Sequence, residues 1–364
     1  MKKTLVALAV AALAATSANA AVVYNQDGSK VEVGGSFRVL LNKNSDQRAD
    51  LRNVGSRVII KGTQDLGDGY SALANLEMRF DGNGKEEFNS IEAKRVFAGF
   101  AKDGVGTLTF GNQLTNLDDV AVSDYTYDLG GIKQTATSGS KVVKFRSADF
   151  SGFSFGLDYI FGQEDKDQYN ADSGFGVSAF YTAALAADTK LNLEAGYSQL
   201  KKGTNAANYK VNAFLVGAEL VSGPFSIGVD YSQKKATDNV GAFNYRDLYV
   251  NSDGDVKRVT TSGDQPAAST GYNKAIAANK VRELEVGVKY NYLENASIYG
   301  EYINGKATDP VGESIKMNAY ILGTDYWFTK QVVSYLEAGT YRFKDDGDNK
   351  FNDNRIGVGF RVYF

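Results

Sequence analysis

The chain has 364 residues, 40 Lys and Arg against 43 Asp and Glu for a net charge of −3, and neither cysteine nor histidine. That balance excludes nucleic acid as a partner. An exported chain without cysteine has no disulfide framework to rest on. Without histidine there is no Ser-His-Asp relay, no His-ligated zinc and no imidazole base, and no cofactor, nucleotide or metal motif takes their place.

The N-terminus, "MKKTLVALAVAALAATSANA", has Lys2 and Lys3, an apolar stretch from Leu5 to Ala15, and then Ala18-Asn19-Ala20. A basic start, a short apolar run and a small-x-small site read as a signal peptide over 1–20, cleaved after Ala20. The 11 residues from Leu5 to Ala15 fall short of the roughly 18–20 that span a bilayer as a helix. No later stretch comes closer, and the mean hydropathy is −0.31. With 39 Gly, 22 Tyr and 21 Phe against 3 Pro and 1 Trp, the composition suits a β-protein with many turns and a wide aromatic surface.

From Ala21 to Phe364 apolar and polar residues alternate, the mark of strands with one apolar and one wet face. In "FSFGLDYIF" Phe153, Phe155, Leu157, Tyr159 and Phe161 oppose Ser154, Gly156 and Asp158. "LNLEAGY" sets Leu191, Leu193, Ala195 and Tyr197 against Asn192, Glu194 and Gly196. Sixteen such segments can be counted, from "VEVGGSF" to "IGVGFRVYF"; those around Val211 to Leu220 and Val332 to Tyr341 fit neither parity well. Short turns (Asp65 to Gly69, Lys102 to Gly106, Ser222 to Phe225, Leu293 to Ala296) alternate with longer connections at 43–55, 81–90, 111–139, 162–174, 202–207, 236–281, 304–314 and 344–354. Pro224, Pro266 and Pro310 all fall in turns or loops, where a missing donor breaks no ladder.

An even strand count with short turns at one end and long loops at the other describes an outer-membrane barrel. The expected fold is therefore all-β: a 16-stranded antiparallel transmembrane β-barrel over 21–364, with short periplasmic turns and long external loops, embedded in outer-membrane lipid. A β-sandwich would not alternate its connections so regularly, and a β-helix would show a fixed repeat. The last segment alternates without a break through Ile356, Val358, Phe360 and Val362 to Phe364. A closing strand must pair with the first to remove the sheet edges, so Phe364 is assigned to the final strand and to barrel assembly. Arg361 is expected on the lumen side.

The start "AVVYNQDGSKVEVGG", the finish "GVGFRVYF" and the internal "SDYTYDLGGIK" resemble the general diffusion porins of the Gram-negative outer membrane, and most of all the major porins of the Pasteurella–Haemophilus branch. The likeness covers the whole chain after the signal peptide. It implies a third loop, about 111–139, folded into the lumen with acidic Asp124 and Asp128 at the constriction and a Gly130-Gly131 turn after them. It also implies arginines on the facing wall, matched here by Arg57, Arg95 and Arg146, and assembly as a homotrimer. Ser36 stands where the family often has a lysine, with Arg38 two residues on and on the same face; Ile132 stands where it often has an acid.

The residues support the same reading independently. Arg57 alternates with outward Val58 and Ile60, Arg95 shares its face with Phe97 and Gly99, and Arg146 shares its face with Lys144. Loop carboxylates against wall arginines would set up a transverse field through which small hydrophilic solutes and ions diffuse passively, without an enzymatic step. The Gly130-Gly131 pair would let the loop turn sharply against the wall. Two alternatives stay open: a substrate-specific channel, which would need a track of lumen aromatics, and a plugged adhesin or structural barrel. Within 236–281, "FNYRDLYVNSDGDVKRVTT" reads as a hairpin above the membrane turning at Ser252-Asp253-Gly254.

Overall fold

The computed structural model describes residues 20–364 apart from 46, 81–86, 168, 204–207, 239, 241–242, 251–255, 259–273 and 348. The expected signal peptide and the turn at Ser252-Asp253-Gly254 lie outside the described residues. One sheet joins eighteen strand segments edge to edge and returns to its start. Two of them, Ala21–Gln26 and Asp50–Asn53, extend neighbouring strands instead of adding to the circumference, which leaves sixteen staves. These are β1 Ser29–Asn44, β2 Asp50–Asn53 with Arg57–Gly67, β3 Tyr70–Arg79, β4 Glu92–Lys102, β5 Gly106–Leu114, β6 Ser138–Ser147, β7 Phe153–Ile160 and β8 Gly174–Ala186. The other half is β9 Thr189–Gly203, β10 Asn208–Ser222, β11 Phe225–Ala236, β12 Lys280–Leu293, β13 Ala296–Thr308, β14 Ser314–Thr329, β15 Val332–Asp345 and β16 Lys350–Tyr363. Every neighbouring pair is antiparallel.

Closure is made by two chain segments in line. β16 pairs with β1 from Asn44↔Arg355 to Ser36↔Tyr363, and Phe364 exchanges both backbone hydrogen bonds with Gly35. Where β16 runs out, Ala21–Gln26 takes over the same edge of β1, from Ala21↔Val33 to Gln26↔Ser29. No backbone edge of β1 is left open along this seam, which removes the template an unpaired strand would offer to another chain.

The dyad rhythm sorts side chains as a lipid-facing barrel requires. Phe37, Leu41, Val96, Phe100, Leu157, Val177, Val288, Leu322, Val358 and Phe360 are exposed on the outer face. Aromatic pairs flank the apolar zone, with Phe225 stacked on Tyr290 near the short turns and Tyr302 against Tyr320 toward the long loops, as interfacial belts do. The two segments of mixed parity have a physical cause. Ala213 and Leu215 of β10, and Val333, Tyr335 and Tyr341 of β15, are buried on the inner face, where Leu215, Tyr335 and Tyr341 receive the segment that follows β5. An inner wall that serves as a docking surface carries apolar groups that a water-filled one would not.

The connections also depart from their expected limits. β1 continues to Asn44 and β2 begins at Asp50, so strand reaches into 43–55 from both sides. Within 236–281 the arms of the expected hairpin, Phe243–Val250 and Val256–Arg258, pair antiparallel, and Lys274–Ala278 adds a third strand on the other edge of Phe243–Val250. This sheet does not stand clear of the barrel. Tyr245 is buried beside Met317 and Ile303 of the inner wall, in one apolar cluster with Leu129 and Ile132.

Candidate functional site: the segment seated across the lumen

Between β5 and β6 the chain leaves the sheet as a short 3-10 turn, Asn116–Asp119, and then runs without regular structure to Thr137. A segment with no ladder of its own must find acceptors for its amides elsewhere. The inner wall supplies them as carboxylates. Asp158 of β7 accepts from Asn116 N, Glu194 of β9 from Ala121 N, and Asp230 of β11 from Val122 N and Ser123 N at 2.9 and 2.7 Å. Glu301 of β13 accepts from Tyr125 N and Thr126 N, Glu337 of β15 from Tyr127 N and Asp128 N, and Glu285 of β12 from Gly131 N at 2.9 Å. Nine amides are held by six acids. These hydrogen bonds offset part of the cost of burying each acid.

Room for the segment comes from glycine. A Cβ on Gly228 would lie 2.5 Å from Val122 O and 2.7 Å from Ser123 Cα, and one on Gly287 would overlap Ser123 O. The inner faces repeat a local pattern, an acid and a glycine two residues apart: Gly156/Asp158, Glu194/Gly196, Gly228/Asp230, Glu285/Gly287 and Glu337/Gly339. Acid for the amide and glycine for the clearance sit side by side. Leu117 and Val120 then pack with Phe180 and Leu215. Ile132 is buried in the cluster that also holds Tyr245, which accounts for an apolar residue directly after the glycine pair.

Side chains complete the attachment. Tyr125 Oη donates to Glu219 and Tyr127 Oη to Asp325, both at 2.8 Å. Burial, and then these carboxylates, hold both phenols well above the usual tyrosine range, so each remains a donor. Tyr341 Oη donates to Leu129 O, and Arg361 Nη2 to Tyr127 O at 2.8 Å. Arg361 thus faces the lumen, as its parity predicts. From the external sheet, Arg246 donates to Gly131 O at 3.2 Å and to Glu283 at 2.8 Å, with its backbone in the left-handed region at φ 52°.

Asp124 Oδ1 caps the turn at Thr126 by accepting from its amide and hydroxyl. It lies close to Gly130, whose Cβ would fall 2.8 Å from that oxygen. Gly131 adopts φ +92°, which only glycine takes without strain. Asp128 points the other way, with Oδ2 4.0 Å from Arg52 Nη1 of β2. The two loop carboxylates therefore face different surroundings: Asp124 the acid-bearing wall, Asp128 the basic one.

That basic wall is broader than the sequence pattern suggests. Arg38 pairs in register with Arg361, Arg57 with Arg79, and Glu77 with Arg95, so guanidiniums occupy five successive staves from β16 to β4. Arg57, Arg79 and Arg95 share one buried carboxylate, Glu77, at 3.1, 2.8 and 2.6 Å. Arg38 lies over Tyr363 and donates to Ser36 Oγ, so it fills the space beside the serine. Arg146 does not join this group. It pairs with Asp119 at 3.3 Å, at the root of the segment, and lies over the Phe180 ring.

Sequence parity finds Arg38, Arg57 and Arg95 but passes over Arg52, Arg79 and the shared Glu77. Arg79 and Glu77 were legible in "NLEMR" by alternation alone; Arg52 was hidden because its short strand had been assigned to a loop. The lumen also holds aromatics: Tyr127 stacks on Tyr335 at 4.3 Å, and Tyr299 is buried beside them.

A model of the Gram-negative porin family matches residues 7–346. A major outer membrane protein of Pasteurella multocida is 42% identical over 383 residues, covering all of both chains, and a second from that species is 40% identical over 393 residues. Among solved structures, in-vitro folded OmpT of Vibrio cholerae superposes with a TM-score of 0.67 at 18% identity, over 94% of this chain and 99% of the other. Salmonella typhi OmpF in complex with daunomycin gives 0.67 at 18% identity, over 94% and 100%. An anion-selective porin from Comamonas acidovorans gives 0.64 at 14%, over 92% and 100%.

Proposed function

The chain belongs to the Gram-negative porins, a diffusion channel of the outer membrane, and from that premise we propose that the segment seated across its lumen is the constriction through which solutes pass. A sixteen-stranded barrel leaves an aqueous channel, and the docked segment narrows it from one side. Asp128 is the acidic lip and Arg52, Arg38, Arg57, Arg79 and Arg95 the basic one. The observation that carries this is Asp128 set 4.0 Å from Arg52, with the other guanidiniums on neighbouring staves. Charges facing each other in a narrow, low-dielectric tube hold a field across the path. Small hydrophilic solutes and ions turn their dipoles with it, whereas apolar solutes displace oriented water and regain nothing. Transport is passive, with no bond made or broken. Asp124 stabilises the turn that presents Asp128, and Arg146 anchors the root of the segment.

The protein is further proposed to act as a homotrimer, as the trimer form of the Vibrio OmpT structure exemplifies for that fold, and to reach the outer membrane after cleavage following Ala20. Planar-bilayer recording of the mature protein tests the constriction. Parent protein should give large, steady openings, and Asp128→Asn should shift the reversal potential toward anions while Arg52→Gln shifts it toward cations. Large openings with unchanged potentials in both variants would sink the assignment of these residues and leave the channel.

A further inference from the structure

On the inner face of β14, β15, β16 and β1 one rung runs Trp327, Val333, Arg361 and Arg38 in register. It lies one rung, about 7 Å, nearer the short turns than Leu40, which pairs with Arg52. Two guanidiniums therefore stand directly opposite each other on one face. Like charges so placed repel, yet neither has a carboxylate within ion-pair distance among the described residues. Arg38 gives its Nε to Ser36 Oγ and Arg361 one Nη to Tyr127 O, each at 2.8 Å. The carboxylates of the surrounding wall are committed elsewhere. Glu77 holds three other arginines, Asp325 accepts from Ser297 and Tyr127, and Glu337 from Tyr299 and two loop amides.

Two buried groups at this rung lack any hydrogen-bond partner, Arg361 Nε and Tyr335 Oη. Tyr335 is 2% exposed. Its phenol lies across β16, where a Cβ on Gly359 would fall 2.3 Å from Oη, and the Arg361 guanidinium sits 5.3 Å from its ring. Arg361 also lies over Tyr127 and Arg38 over Tyr363, on which Trp327 stacks at 6.0 Å. Ring faces hold both cations in place without neutralising them.

We propose that Arg38, Arg361 and Tyr335 form a binding site for a phosphate group on the short-turn side of the constriction, either the free ion or the phosphate end of a larger solute. The unmet groups choose the ligand. Each is a cation or can donate, so the occupant is negative and rich in acceptors. Two guanidinium forks on adjacent strands and a phenol need several oxygens pointing in different directions, which a tetrahedral dianion supplies. Chloride has one charge and no such directions. The site rests on reading the lumen as a path for solutes, which brings the ligand to it.

The chain has one tryptophan, Trp327, and it stands in the same rung, so the folded protein in detergent reports on the site without a current. Inorganic phosphate added at constant ionic strength should shift the Trp327 emission along a saturating curve and raise the thermal midpoint, whereas matched chloride should do neither. Arg38→Gln should raise the half-saturating phosphate concentration about tenfold, the scale of one hydrogen bond to a charged group. Tyr335→Phe, which keeps the ring, should raise it severalfold. Arg95→Gln removes the same charge from a more distant stave and should stay within about twofold of the parent. A response to glycerol 3-phosphate as well assigns the site to the phosphate end of solutes; a response to inorganic phosphate alone assigns it to the free ion. Absence of saturation in the parent, which needs no variant to fold, would overturn the proposal. So would an equal response to chloride, or a loss in Arg95→Gln as large as that in Arg38→Gln. No ion flow is measured, so the reversal-potential test of Asp128 and Arg52 stands or falls separately.

Discussion

Glu77 shows how much one residue carries in a crowded lumen. It is the shared partner of Arg57, Arg79 and Arg95, and its side chain is only 3% exposed. Removing one partner of a buried charge cluster costs about 3–5 kcal/mol, because the others are left uncompensated. Glu77→Gln is therefore expected to lower the thermal midpoint of the folded barrel and to move the reversal potential toward anions. Arg79→Gln, which leaves Glu77 with two partners, should do much less to stability, and heat-modified electrophoretic mobility compares the two. The arginines themselves were legible from alternation, since a charge on a lipid-facing barrel has one permitted face. Their pairing was not. Which guanidinium meets which carboxylate depends on register between strands, and the sequence of any single strand carries no register.

The docked segment behaves as an element whose seat is built from the opposite wall. A Gly287→Ala substitution puts a methyl group into Ser123 O, whereas a Cβ at Gly62 meets nothing within 4 Å. Gly287→Ala should unseat the segment, seen as larger and noisier single-channel openings and as new proteolytic cuts near 120–133, while Gly62→Ala should match the parent. Arg246→Gln should give the same noise together with a lower thermal midpoint, because it releases Gly131 O and also leaves the buried Glu283 without its guanidinium. Strand existence was readable for all sixteen staves, from β7 with its clean "FSFGLDYI" to β15 with its mixed faces. The hold on the segment was harder to read, although the acid and glycine two residues apart recur in five strands. Each half of that pattern has an ordinary meaning alone, a wet lumen face and a small residue in a strand. Only the pairing of both against a chain with no ladder gives them a purpose. The hairpin of the external sheet was legible but its inward seat was not: Tyr245 and Arg246 look like solvent-facing residues until the cavity that receives them is known.

At the scale of the molecule, stability rests on closure. β16 and Ala21–Gln26 share one edge of β1, and Phe364 bonds Gly35 at their junction. Removing Phe364 should open that junction, and the truncated chain should fold to a barrel that loses its compact mobility on gels at a lower temperature than the parent. Tyr363→Ala, which leaves the backbone pairing in place, should shift that temperature less. The same closed wall holds the docked segment chiefly by its amides: six acids grip peptide groups, which every residue but proline possesses. The Asp128 side chain can thus be exchanged for another without loosening the grip on its amide. The frame and the filter are separable under selection, and one barrel can be fitted with many different permeability filters.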